Sequence, residues 1–104
     1  MQNDEFSISE EKADGAVKFV AKGRITSMNA NVLEFELSEA LKKGMGNITV
    51  NMMQVSFLSS AGIRVLLMYF KKAKEAGGSF YVESPSENVI NVLGMTALDE
   101  MLLK

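Results

Sequence analysis

Strand-like and helix-like hydrophobic patterns alternate along this chain, and that alternation leaves few ways to fold it. A strand pattern over Ala16–Ile25 gives way to a helical one from Asn31 to Lys43. Leu33, Leu37, Ala40 and Leu41 share one side of that helix, and Gly44 stops it. A second strand, Ile48–Val55, leads into a helix from Ser60 to Ala76, closed by Gly77-Gly78, and Ser79–Glu83 reads as a further short strand. Strands joined through a helix run parallel and need the helix to cover the sheet. Upstream, Phe6–Ser9 alternates apolar and polar and meets the Ala16 strand across a turn at Asp14-Gly15, which predicts a hairpin. Downstream, Ser84-Pro85-Ser86-Glu87 is a helix-start signal: Ser84 as cap, Pro85 at the first helical position, Glu87 closing a capping box. Val89, Ile90 and Leu93 give that helix its apolar side before Gly94 ends it. Thr96 to Leu103 repeats the pattern, with Thr96 and Asp99 at capping-box spacing. The order β-β-α-β-α-β-α-α predicts one α/β domain over residues 1–104, with a mainly parallel central sheet of about four strands and helices packed against it.

The composition removes several kinds of function. A net charge of −2 offers no general grip on nucleic acid. The short basic runs Lys42-Lys43 and Lys71-Lys72-Lys74 fall near helix ends, where cations favour the dipole. Cysteine and histidine are both absent, which excludes disulfides, thiol chemistry, the usual zinc sites and a histidine relay. No metal or cofactor is expected. Neither a dinucleotide fingerprint nor a P-loop is present, and no lysine or carboxylate stands close in sequence to Ser60 to activate it as a nucleophile. An enzyme is therefore not expected. Met1–Glu5 is polar and acidic, unlike a signal peptide, and no apolar stretch approaches the roughly 20 residues that span a bilayer. A soluble, intracellular protein without membrane contact is expected; the oligomeric state stays open.

The junction Ser59-Ser60-Ala61-Gly62 carries most of the functional information. A serine at a helix start can cap free amide groups, and the same amides and dipole suit a phosphate. Capping by Ser59 or Ser60, with Gly62 relieving packing, is the commoner use of such residues. Beyond the junction, Ile63, Leu66, Leu67, Phe70 and Ala73 are expected to face the sheet, which turns Ala61, Val65, Met68 and Lys72 outward. Val65 and Met68 then form an exposed apolar surface continuous with Ser60, rimmed by Arg64. The loop Thr26-Ser27-Met28-Asn29 belongs at the same end of the sheet, because both segments follow parallel strands. Together Thr26, Ser27, Met28, Asn29, Arg64, Val65 and Met68 are the expected partner interface. Phe35 falls off the Leu33–Leu37–Leu41 side, either under the hairpin or in a second contact. The eight methionines suggest core filling, not a cofactor site.

The run Val55-Ser56-Phe57-Leu58-Ser59-Ser60-Ala61-Gly62-Ile63-Arg64-Val65-Leu66-Leu67 resembles the signature of STAS domains, specifically bacterial anti-sigma factor antagonists. Gly23-Arg24-Ile25, Gly77-Gly78, Ser84-Pro85 and Leu93-Gly94-Met95 extend the resemblance over nearly the whole chain. The resemblance implies a STAS fold and a protein–protein switch. An anti-sigma factor that is itself a serine kinase would phosphorylate a serine at the helix start. The unphosphorylated antagonist would bind it and free the sigma factor, and a phosphatase would restore the cycle. The family pattern is often Asp-Ser-x-Gly, which puts the phosphoacceptor on Ser60, with Ser59 as the alternative. Ser59 stands where the acidic residue often occurs, and Asn51 replaces another acidic residue common in the strand. A phosphate-insensitive STAS scaffold or adaptor, in a signalling or transport assembly, is the alternative reading.

Overall fold

Four strands lie side by side in chain order: β1 (Ser7–Ala13), β2 (Ala16–Ile25), β3 (Asn47–Leu58) and β4 (Ser79–Glu83). β1 runs antiparallel to β2, while β2, β3 and β4 are mutually parallel. The crossovers are α1 (Ala30–Lys42) and α2 (Ser60–Glu75); α3 (Glu87–Met95) and the four-residue α4 (Asp99–Leu102) follow β4. This is the expected mainly parallel sheet with its helices. The computed structural model describes residues 6–13, 15–96 and 98–103. Met1–Glu5, Asp14 of the hairpin turn and the Asp99 side chain of the second capping box lie outside that description.

Side-chain alternation assigns one face of the sheet to the core. Val17, Ile48 and Phe80 form one register row across β2, β3 and β4, and Phe19, Val50 and Val82 form the next; all six are buried. Leu33 and Leu37 from α1, Leu66 and Ala73 from α2, and Leu93 from α3 complete the cluster. The intervening row, Lys18, Thr49 and Tyr81, is half-exposed on the other face. There the Lys18 ammonium lies 2.9 Å from the Glu83 carboxylate, whose hydrogen bond and charge raise the lysine pKa above its ordinary value.

β3 runs three residues beyond the expected end at Val55. Its register against β2 slips between Val20 and Lys22 and again between Gly23 and Arg24, each time with an extra residue in β3. Burial therefore leaves the two-residue period after Met52 and continues at Met52, Val55 and Leu58. Gly23, on β2 beside the second slip, has φ 101°, a backbone that glycine adopts without steric cost.

The entry into α3 differs from the expected one. Ser84 has φ 48°, a left-handed conformation, whereas an N-cap needs an extended one. Ser86 is the cap instead: its hydroxyl accepts from the Val89 amide at 3.2 Å and donates to the Val55 carbonyl at 2.6 Å. Glu87 becomes the first helical residue, so the expected capping box does not form. With Asn88 donating to the Ser56 carbonyl at 2.8 Å, α3 is tied to the part of β3 that outruns β4. The helix passes through Gly94 to Met95, and Thr96 ends α3, its hydroxyl donating to the Val92 and Leu93 carbonyls. Among the described residues no helix is long and apolar enough to cross a membrane.

Candidate functional site

The junction between β3 and α2 separates the two serines by role. Ser59 has extended backbone (φ −77°, ψ 168°) and its hydroxyl oxygen accepts from the Gly62 amide at 3.1 Å. Its carbonyl accepts from the Ile63 amide and its own amide donates to the Ile25 carbonyl, both at 2.9 Å. Ser59 is therefore the N-cap. Ser60 is the first helical residue and is exposed, and its hydroxyl has no hydrogen-bond partner among the described residues. With Gly62 and Ile63 served by Ser59, the amides of Ser60 and Ala61 are the first-turn donors left without an intrahelical acceptor.

Gly62 is buried, and a Cβ there would stand 2.7 Å from Leu58 Cδ1 and 2.8 Å from Ile25 Cγ2. The glycine thus admits the side chains that close the core at this end of the sheet. It also fixes how α2 is turned. The buried residues are Gly62, Val65, Leu66, Tyr69 and Ala73, a stripe one residue out of step with the expected Ile63, Leu66, Leu67, Phe70 and Ala73. One residue is about 100° of helix rotation. Val65, expected outside, is only 6% exposed and belongs to the core. Leu67, expected inside, lines a shallow outer groove with Arg64, Met68, Lys71, Lys72 and Glu75. Hydrophobicity alone gave no weight to Gly62, which marks the side of closest approach.

The loop before α1 is held in shape by Asn29. Its Oδ1 accepts from the Thr26 amide at 2.8 Å and its Nδ2 donates to the Arg24 carbonyl at 2.9 Å. Thr26 Oγ1 accepts from the Met28 amide at 3.2 Å. This leaves Ser27 exposed and Met28 87% exposed. The Ser59–Ile25 bond and the Ile25–Leu58 register bring this loop to the same end of the sheet as Ser60. One feature there was missed: the Arg24 guanidinium sits 4.4 Å from the centre of the Phe57 ring. Its signal in the sequence is Phe57 itself, two residues past the expected strand end at Val55. Asn51, on β3, accepts from the Met53 amide at 3.0 Å and lies 3.5 Å from Glu83 Oε2 across the β3–β4 pair. Phe35 is 60% exposed and lines a groove with Glu10 and Lys12 of β1 rather than lying beneath the hairpin. Among the described residues no three His, Cys, Asp or Glu side chains come together as metal ligands.

Residues 7–104 match the family model of the STAS domain. The chain belongs to the STAS domain family. Within it, the Anti-sigma-B factor antagonist of Bacillus subtilis is 30% identical over 80 residues, 77% of this chain and 72% of that one. BtrV of Bordetella bronchiseptica is 32% identical over 68 residues, 65% of this chain and 59% of BtrV, so the match spans under two thirds of that relative. The STAS fold is shared with the anti-sigma factor antagonist SpoIIAA in its unphosphorylated form, with TM-score 0.82, 19% identity, and 93% of this chain and 86% of that one covered. SpoIIAA in its phosphorylated form superposes with TM-score 0.76 at 17% identity, over 93% of this chain and 89% of that one. This STAS chain therefore stands among the anti-sigma factor antagonists.

Proposed function

We propose that this STAS domain is a partner-switching regulator, not an enzyme, acting in the cytoplasm. Unphosphorylated, it binds an anti-sigma factor that is a serine kinase, and the sigma factor is released. Phosphorylation of Ser60 ends the complex, and a phosphatase restores it. The observation that carries this reading is the division of labour at the junction: Ser59 does the capping, so Ser60 is exposed with its hydroxyl uncommitted. Ser59 is correspondingly the weaker acceptor, because its oxygen is occupied by the Gly62 amide.

The partner surface is the outer stripe of α2 with the neighbouring loop: Thr26, Ser27, Met28, Asn29, Arg64 and Met68, now with Leu67 and without the buried Val65. A phosphate on Ser60 adds about −1.5 to −2 charges and three acceptor oxygens. The amides of Ser60 and Ala61 and the helix dipole can accommodate it with the fold intact. A docked partner meets the new charge directly, and a mismatched charge at an interface costs several kcal/mol, with about 1.4 kcal/mol already tenfold in affinity. A phosphate-insensitive scaffold is the second reading, favoured by Ser59 where relatives often carry an acid.

Affinity capture from the source cell with wild type, Ser60→Ala and Ser60→Asp tests the two. A kinase-type anti-sigma factor held by the first two and released by the third is the expected result, with phosphate mapped to Ser60 of the wild type. Equal retention on all three, or phosphate persisting on Ser60→Ala, overturns the switch at this residue.

A further inference from the structure

The outer surfaces of α1 and α2 are apolar along the middle and opposite in charge. On α1, the side facing away from the buried Leu33 and Leu37 presents Val32, 42% exposed, and Phe35, 60% exposed; Met28 extends the stripe just before the helix. Val32 and Phe35, three residues apart, are neighbours on one helix face. On α2, the outer groove is lined by Leu67 and Met68, both half-buried, Met68 also packing against the core cluster. The charges around these stripes differ in sign. α1 carries Glu34, Glu36 and Glu39 against Lys42, with Lys12 and Lys43 lining the groove beside Phe35, Glu36 and Glu39, whereas α2 carries Arg64, Lys71, Lys72 and Lys74 against Glu75. Among the described residues the only ion pair made by any of these α1 and α2 side chains is Glu39 with Lys42, so neither helix neutralises the other within one molecule.

We propose that this two-helix face binds a second copy of the same chain. α1 and α2 touch, and as successive crossovers of a parallel sheet they point the same way. A two-fold axis running between them and along them then lays α1 of one copy over α2 of the other, and the reverse. Each acidic helix meets a basic one, twice, in a closed isologous contact. Phe35 and Val32 come to Leu67 and Met68 at the apolar centre, with charged residues at the rim, the ordinary anatomy of an interface. The alternative rotation, α1 on α1, sets carboxylates against carboxylates and is disfavoured. The dimer covers Met28, Arg64 and Met68, so it and the partner complex exclude one another. That competition rests on the proposed partner surface; the dimer itself does not.

Sedimentation velocity of the full chain over a concentration series, at low and high salt, tests it. Wild type should show a monomer–dimer equilibrium weakened by salt. Reversing one side, as Glu36→Lys with Glu39→Lys or as Arg64→Glu with Lys71→Glu, should weaken association at least tenfold. An equimolar mixture of those two variants should form the heterodimer, because positions 36, 39, 64 and 71 are then all cationic in one copy and all anionic in the other, and combining all four changes should restore self-association. Phe35→Ser should give a monomer that still captures the anti-sigma factor, which separates this proposal from the partner reading. Circular dichroism checks that each variant is folded. A wild type that stays monomeric at low salt overturns the proposal. So does a dimer indifferent to both charge reversals, which would place the contact elsewhere, such as the edge of β1.

Discussion

The Ser59 amide donates to the Ile25 carbonyl across 2.9 Å, so the residue that follows β3 is held level with the last residue of β2 just where both strands leave the sheet. This single bond sets the Thr26–Asn29 loop beside the start of α2. It also leaves the Ser59 hydroxyl free to turn back and cap the helix at Gly62. The exposed position of Ser60 follows from what Ser59 is already doing.

The two serines should therefore separate in stability measurements. Ser59→Ala removes a cap and should cost about 1 kcal/mol, about 4–8 °C in Tm for a domain of this size. Ser60→Ala loses no hydrogen bond within the described fold and should stay within about 0.5 kcal/mol of wild type. Urea denaturation followed by circular dichroism reads both. An equal loss in the two variants would mean that capping is shared.

Glycines provide a pair of opposite expectations. At Gly62, a methyl group meets Leu58 and Ile25 at 2.7 and 2.8 Å. Overpacking of about 1–3 kcal/mol outweighs a helix-propensity gain of about 1 kcal/mol, so Gly62→Ala should lower Tm and Gly62→Val should lower it further. At Gly94, inside α3, nothing lies within 4 Å of the added methyl and φ is not positive. Gly94→Ala should stabilise by about 0.5–1 kcal/mol. Thermal melts of the three variants check the ordering.

These contrasts mark how far the sequence could be read. Element order, hairpin, crossovers and the parallel sheet were legible because hydrophobic period and Gly punctuation agree along the chain. The junction was legible as a helix start, yet Ser59 and Ser60 could not be told apart: which oxygen reaches an amide is decided by backbone angles at one residue. Likewise Ser84 and Ser86 flank the same proline, and only the left-handed φ of Ser84 disqualifies it. The end of β3 was missed because two register slips against β2 break the alternation that identifies a strand. The rotation of α2 was missed because burial there follows a glycine, a residue with no hydrophobicity to count.

The loop before α1 should respond to loss of its internal brace. Asn29→Ala removes the acceptor for Thr26 N and the donor to Arg24 O, each net hydrogen bond being worth about 0.5–1.5 kcal/mol. Amide exchange at Thr26 and Met28 should quicken in this variant while exchange in the Phe19–Val50–Val82 row of the sheet is far less affected. Met28→Asp, at a side chain 87% exposed, should leave the fold intact and weaken capture of the anti-sigma factor. Unchanged capture by folded Met28→Asp would remove the loop tip from the proposed interface.

Val65 and Met68 lie less than one turn apart on α2, yet their aspartate variants should fail in different ways. Val65 is 6% exposed and packed within the core cluster, so Val65→Asp buries a carboxylate with no cationic partner supplied there. Losses above about 4 kcal/mol come from such buried charges, a large share of the 5–15 kcal/mol that holds a typical domain together. The variant should lose its cooperative melt, and any loss of partner binding would then report on folding alone. Met68 lines the outer groove beside Arg64 and Lys71, where an added carboxylate reaches water and nearby cations. Met68→Asp gives up part of a half-buried packing contact and should melt below wild type but keep its cooperative transition, unlike Val65→Asp, while releasing the anti-sigma factor. A folded Val65→Asp protein would contradict the rotation of α2, and a folded Met68→Asp protein that still captured the factor would take that residue out of the partner surface.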